Sequence, residues 1–453
     1  MKNLFKYASL LVAAVMLYAA CESVEPEIKP LSLQADKECI LADGKDSVKF
    51  TVLENGVDAT ASYTIYYKKY DQDGDGVALE TQDKFAASEP SIYVFYVMNN
   101  NTQVSALVPA TKSGKIDRPF RVESDRDVIQ SNGTDYADVK VYLADFDVTA
   151  YSDIYDADFN RLNLENGHFT TTAEGDHKLW AAYGTFSTYD QKKDDNGLFT
   201  IQAISKAIPD AVEDTDTLNT SFVHRAFLTQ YTGTGCGYCP YMIKIIRELM
   251  ADNTIPGKAV LAAVHSYANS DPAYISAPKV SNYPYMHIDL ETGFSHTQGS
   301  GPLYSQVNSI AASDAKAGIS VNPVLYEDGT LVIKASVKAA VDGEFRIGAW
   351  LLEDGIYGQQ TDYDSVGDAS YSTHENCVRL IDSRYDGSWV GKHLGSIKAG
   401  ESLDKTFVMN VKRAWKKENL HVAVIVSVKK GNKFVVCNAI DCPIDASTPF
   451  DYK

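Results

Sequence analysis

Past Ala20 the chain has no apolar run of membrane-spanning length, so a later transmembrane helix is not its means of attachment to a membrane. Basic residues are scarce. There are 42 Lys+Arg against 60 Asp+Glu, a formal charge of −18, and no run of Lys and Arg forms. That argues against nucleic acid as a partner, because phosphates select basic surfaces. Cysteine is sparse too, seven in 453 residues, so the pair in "TGTGCGYCPY" (Thr232–Tyr241) stands out. No Ser-His-Asp order, phosphate loop or pair of catalytic carboxylates is apparent.

Apolar residues make up 45% and charged residues 23%, an ordinary globular balance. The length suggests roughly three or four domains. Abundant tyrosine (28) and frequent β-branched residues lean the chain towards sheet. The start, "MKNLFKYASLLVAAVMLYAAC", has Lys2 and Lys6, an apolar run from Ala8 to Ala20, and small residues before Cys21. That is the layout of a signal peptide over residues 1–20. A cysteine directly after Ala19-Ala20 points to a bacterial lipoprotein lipidated on Cys21, although Tyr18 stands where the motif has an aliphatic residue. Plain secretion with cleavage near Ala20 is the alternative. Residues 21–29, short, acidic and unable to bury apolar area, read as a tether. An acidic stretch after the lipidated cysteine resembles surface-export signals of Bacteroidetes lipoproteins, which implies the outer face of the outer membrane.

An internal repeat follows. Leu31–Lys68 parallels Phe120–Ala157: "ADGKD" matches "SNGTD", and "DATASYTIY" matches "DVTAYSDIY". Short alternating strands broken by Gly-containing turns predict two antiparallel sandwiches, at 30–115 and 116–212, which resemble bacterial Ig-like domains. In the first, "DQDGDG" supplies Asp71, Asp73 and Asp75 at the opening positions of an EF-hand loop, but Gln82 stands where the bidentate Glu belongs. The expectation is an acidic hairpin loop, with a calcium site as the alternative. Cys39 aligns with Val128 of the second copy and reads as an apolar substitute.

Near Ser221 the pattern changes. "HRAFLTQYT" reads as a strand and "CPYMIKIIRELMADN" as a helix with Met242, Ile245, Ile246 and Leu249 on one face. "KAVLAAV" reads as a buried parallel strand. Strand, C-x-x-C, helix and buried strand open a thioredoxin fold, predicted over 221–318. Pro284 in "NYPYMHID" stands about where such folds hold a cis-proline beside the dithiol, and "GPLYSQVNSIAASDA" supplies a closing helix. Residues 319–453 return to alternating or apolar strands and predict a C-terminal β-sandwich. The fold class expected is therefore multidomain and mainly β: two Ig-like sandwiches, a thioredoxin-like α/β domain and a further sandwich.

The stretches "FLTQYTGTGCGYCP", "HSYANSDPAY", "NYPYMHID", "LLEDGIYGQQ", "STHENCVRL" and "WKKENLHVAVIVS" together resemble the outer-membrane-protein-28-related lipoproteins of Bacteroidetes. The resemblance covers about residues 222–447. It implies a lipid-anchored outer-membrane protein, discussed as a surface receptor or adhesin-like component, with no defined reaction.

Local physics makes Cys236 a candidate nucleophile, since a helix N-terminus lowers a thiol's pKa, with Cys239 as resolving thiol and Pro284 shaping the peptide side. Against this, Gly235 replaces the usual Trp of thioredoxins. Gln230 replaces their buried acid and cannot act as a general base. In an oxidising compartment the pair can persist as a disulfide. A zinc site would need two more ligands, and Cys437 and Cys442 lie in a different predicted domain. Among the remaining cysteines, Cys377 is expected to pair with Cys437 or Cys442. His374, Glu375 and Arg379 read as a polar network bracing a sheet. Two functions result. One is a surface binding or adhesin-like component with a structural C-x-x-C, no cofactor, and a protein or glycan ligand. The other is an envelope thiol–disulfide oxidoreductase acting through Cys236.

Overall fold

The computed structural model describes residues 31–453, apart from 101, 194, 256, 278, 279, 281 and 383–388. The signal peptide, Cys21 and the tether lie outside the described residues. The chain is mainly β and forms two compact units, which meet between Ile204 and Ser205.

The first unit holds the repeat as two sandwiches with matching topology. In the first sandwich Leu31–Ala35 pairs with Ser47–Glu54, facing a sheet in which Tyr66–Lys69, Ser91–Asn99 and Thr102–Thr111 are neighbours. In the second, Arg121–Ser124 pairs with Ala137–Leu143, facing Asp153–Asp156, Gly175–Tyr183 and Phe199–Ile204. Alternation along each strand sends Val48, Phe50 and Val52 into one core, and Val139, Val141 and Leu143 into the other. Cys39 is half-buried beside Thr111, and burial pushes its thiol pKa up. Asp71, Asp73 and Asp75 are exposed on the hairpin between Tyr66–Lys69 and Val77–Ala78. Among the described residues no trio of His, Cys, Asp or Glu converges on a possible metal position.

The second sandwich ends at Ile204 and not at 212. The following segment packs on the second unit instead. The Tyr326 hydroxyl donates to Ala207 O at 2.6 Å, Asn322 donates to Asp210 O at 2.9 Å, and Lys338 donates to Asp214 at 2.7 Å. Lys338 is only 1% exposed, so its charge needs the Asp214 carboxylate and Tyr452 hydroxyl that surround it.

In the second unit the strands are β1 (Ala226–Thr232), β2 (Ala259–His265), β3 (Tyr285–Ile288), β4 (Thr292–Phe294), β5 (Ala317–Leu325), β6 (Thr330–Ala339) and β7 (Gly343–Glu353). They continue as β8 (Ile356–Tyr357), β9 (Thr373–His374), β10 (Cys377–Asp382), β11 (Lys392–Ile397), β12 (Ser402–Asn410), β13 (Leu420–Lys430) and β14 (Lys433–Pro443). The helices are α1 (Cys239–Ala251) and α2 (Ser300–Ala312). One sheet runs β4-β3-β1-β2-β10-β7-β13-β14, with β11 also pairing β7. β1 and β2 are parallel, and β3 is antiparallel to β1. Ala226 and Leu228 point towards Met242, Ile246 and Leu249 of α1 and Leu303 and Val307 of α2. On the opposite face Phe227 meets Trp350 of β7, ring centroids 5.1 Å apart.

The boundary expected at 318/319 is therefore crossed by a single sheet. The parallel bridge Ala263–Cys377 joins the α/β portion to the C-terminal strands. β7 and β13 are buried on both faces. Phe345, Ile347, Ala349 and Leu351 pack against the separate β5-β6-β12 sheet, while Trp350 and Leu352 face the other way. That double burial is why "FRIGAWLL" and "NLHVAVIVS" read as near-continuous apolar runs.

The expected bridge from Cys377 to Cys437 or Cys442 is not formed, and all three are buried free thiols. Cys377 lies on β10 and both others on β14, with β7 and β13 between. Three strand spacings, about 14 Å, exceed a disulfide's reach. Cys437 and Cys442 share one extended strand, about 16 Å apart.

Candidate functional site

β1 ends in the loop Gly233–Tyr238, which turns directly into α1 with Pro240 in its first turn. Cys236 N–H donates to Gly233 O at 3.0 Å and Cys239 N–H to Cys236 O at 3.1 Å, which brings the two cysteines into one turn. They form a disulfide with Cα atoms 5.4 Å apart. Two glycines permit the crowding around it. A Cβ on Gly233 would lie 2.6 Å from Tyr267 Cβ, and one on Gly237 within 2.4 Å of the Tyr363 ring.

The disulfide is closed off from solvent. Cys236 is 3% exposed and Cys239 0%. Its cover is the connection from β7 to β10, residues 354–376. Gln360 Nε2 donates to Cys236 O at 2.9 Å and also lies 3.3 Å from Thr234 O and 3.4 Å from Gly233 O. The backbone follows the loop as well, with Thr361 N–H donating to Thr234 O at 2.8 Å and Tyr363 N–H to Gly237 O at 3.1 Å. Further along, α1 is held by Tyr241 donating to Asp364 at 3.0 Å and Arg247 donating to Ser370 Oγ at 2.6 Å. The Arg247 guanidinium also sits 4.3 Å from the Tyr371 ring centroid.

Beneath the loop lies a buried polar network. Asp271 accepts from Thr234 N–H at 2.6 Å, from Ala273 N–H at 2.8 Å, and from His265 Nδ1 at 3.0 Å. Burial opposes ionisation of Asp271, but the His265 contact and the two backbone donors outweigh it and hold the carboxyl well below its usual range. His265 Nε2 lies 3.6 Å from Cys377 Sγ, and the His374 ring meets His265 edge-on at 4.8 Å. The order thiol, imidazole, carboxylate has the contacts of an activated nucleophile. Access is what it lacks: Cys377 is fully buried, its thiol pushed far up by that burial, and His265 is 1% exposed. These groups brace β2 against β10 and fix Thr234. His374, Glu375 and Arg379 extend the brace to Gly358 O, Gly355 N–H and Glu353.

Gln230, on β1, is buried, and its Nε2 has no partner among the described residues. Pro284 follows a cis Tyr283–Pro284 bond immediately before β3. Its corner is tied to the loop side through Tyr283, whose ring meets Tyr267 at 5.3 Å, beside Gly235. Cys236, Cys239 and the Pro284 corner thus belong to one end of the sheet. Asp71, Asp73 and Asp75 belong to the other unit, and Cys437 and Cys442 to the sandwich core. Reasoning on sequence missed His265, Asp271, Gln360 and Tyr363. Their signal lay in "HSYANSDPAY" and "LLEDGIYGQQTDY", whose polar residues only the fold brings to the loop. Attack on a disulfide needs a thiolate to reach a sulfur, and this arrangement blocks that approach.

No protein-family description and no curated protein matches the chain. Among solved structures it is similar to HBP35 of Porphyromonas gingivalis, 15% identical over 51% of this chain and 78% of that one, with a TM-score of 0.41. It is also similar to a domain of the outer membrane lipoprotein Omp28 from Porphyromonas gingivalis, 14% identical over 29% of this chain and 89% of that one, with a TM-score of 0.19. A third likeness is to the D0–D1 domain of intimin, 16% identical over 34% and 91% of the two chains, with a TM-score of 0.14. Superpositions this loose carry no argument about activity.

Proposed function

We propose that the chain is an outer-membrane lipoprotein, anchored through lipid on Cys21 and facing the cell exterior, that acts as a surface binding or adhesin-like component. In this reading two Ig-like modules carry a thioredoxin-like stretch, residues 221–318, whose Cys236–Cys239 bond is a staple and not a turnover site. The observation that carries it is the burial of both sulfurs beneath residues 354–376, with Gln360 and Tyr363 seated on the loop. Gln230 supports it, since an amide cannot relay a proton to or from a resolving thiol.

The test is a Cys239→Ser variant expressed in cells. A staple leaves no mixed disulfide with another protein, and the parent bond has a reduction potential below about −300 mV. A trapped partner, or a potential in the range of working oxidoreductases, refutes the staple in favour of thiol–disulfide exchange through Cys236. A Cys21→Ala variant tests the anchor: it should leave the membrane fraction, and its retention there would contradict lipid attachment.

A further inference from the structure

The second sandwich carries an open cleft of about 480 Å³, lined by Tyr136, Asn163, Glu165, Asn166, His168 and Thr170 among others. Its size falls in the range of small-molecule sites, roughly 300–1,000 Å³. Tyr136 is 40% exposed, and one face of its ring is backed by His168, centroids 4.0 Å apart and nearly parallel at 15°. His168 is held in turn by Asp138, 3.0 Å from its Nε2. The stack thus holds the tyrosine ring, part of the cleft lining, in a fixed orientation.

The rim is equally well placed. Glu165 and His168 close a two-residue hairpin whose turn residues, Asn166 and Gly167, both have positive φ, 55° and 82°. Asn-Gly suits that turn, which sets the backbone positions of the flanking residues. The side chains of Asn163, Glu165, Asn166 and Thr170 hydrogen-bond to nothing among the described residues. Among the described residues no lysine or arginine lines the cleft, which disfavours phosphate or carboxylate ligands.

The repeat supplies an internal comparison. Val48–Phe85 in the first sandwich occupies the place of Ala137–Phe169 in the second. Ser47 and Lys84 therefore stand at the positions of Tyr136 and His168, and Leu79, Thr81 and Ala86 at those of Asn163, Glu165 and Thr170. Gln82 keeps an amide at the position of Asn166, but the sandwich does not require the Tyr136–His168 pair or Asn163, because its sister folds without them.

We propose that this cleft binds a neutral hexopyranose unit of a glycan. The C–H face of the sugar stacks on Tyr136, and its hydroxyls are met by Asn163, Glu165, Asn166 and Thr170. The assignment deepens, and rests on, the reading of the chain as a surface binding component.

The test uses the full chain and saturation-transfer NMR, with methyl glucoside, methyl galactoside, methyl mannoside and N-acetylglucosamine as probes and choline as a cationic control. At least one sugar should bind saturably. Tyr136→Ser and Asn163→Leu, which install the first module's residues, should weaken it at least about tenfold. Ser47→Tyr should leave it unchanged. The assignment is overturned if no sugar binds, if Tyr136→Ser binds like the parent, or if choline alone binds in a Tyr136-dependent way. Protease shaving of intact cells is read separately. A chain that is shaved but binds no sugar loses only the cleft assignment, whereas a chain protected from shaving loses the surface reading.

Discussion

Replacing both cysteines of the staple, Cys236→Ala with Cys239→Ala, isolates what the bond contributes. The loop it closes is short, with a sequence separation of 3. Chain-entropy reasoning for a four-residue loop gives about 6 cal/mol/K, or about 2 kcal/mol at room temperature. Alanine introduces no polar group into the buried site, so no unsatisfied hydroxyl adds to the cost. The affected body is the second unit, residues 205–453. For a domain of that size about 2 kcal/mol corresponds to a fall in Tm of roughly 4–8 °C. Calorimetry on the parent, the parent in strong reductant, and the variant reads this directly. The reduced parent and the variant should fall together, and the transition of the first unit should not move. If mild reductant opens the bond in the native protein with no change in Tm, and the freed thiols react at once with an alkylating reagent, then the sulfurs are neither sealed nor stabilising. The bond would then be no staple.

Three further outcomes are expected. Gln360→Ala removes the amide seated on Cys236 O, costing about 1 kcal/mol and speeding reduction of the disulfide by phosphine; an unchanged rate would mean that residues 354–376 do not guard it. Gly237→Ala drives a Cβ into the Tyr363 ring and should destabilise by roughly 1–3 kcal/mol, with Tyr363→Ala restoring stability in the double variant; equal losses in both backgrounds would deny the contact. His421 is buried, which alone would lower its pKa, but Asp441 at 2.6 Å and Asp354 at 3.5 Å outweigh that and raise it to about 9. A raised pKa stabilises the fold fully below the unfolded value of about 6.5, and that contribution disappears as pH rises through about 9. The unfolding free energy of the parent, read from urea titrations, should therefore exceed that of His421→Gln most between about pH 5 and 6.5, by roughly 2–3 kcal/mol at most, and the gap should shrink towards pH 9; a gap independent of pH would refute the pairing.

Much of the architecture is local and could be read from residue order. The α1 face of Met242, Ile245, Ile246 and Leu249 is buried as its spacing requires, and the helix begins at Cys239. The C-terminal strands follow their apolar runs, and the two repeats share a strand order. Each of these depends on periodicity within a few residues of a position. The misplacements share a cause. Whether β2 pairs with β10, and so whether one sheet or two domains result, depends on an edge contact between Ala263 and Cys377. Nothing in the alternation of either strand names its neighbour. The same ignorance of strand order made a bridge from Cys377 to Cys437 or Cys442 look reachable.

For the C-x-x-C, residue order alone brings two thiols together at the start of a helix, because a three-residue separation and a strand–turn–helix pattern leave them little choice. It also dictates that Gln230 brings no acid. That the bond is sealed follows from long-range packing alone. The seal comes from Gln360 and Tyr363, more than a hundred residues away, and from Asp271 and His265 beneath Thr234. Accessibility belongs to whatever packs over a group, and long-range packing is set by which sheet edges and connections meet in the folded chain, not by the residues on either side of the cysteines.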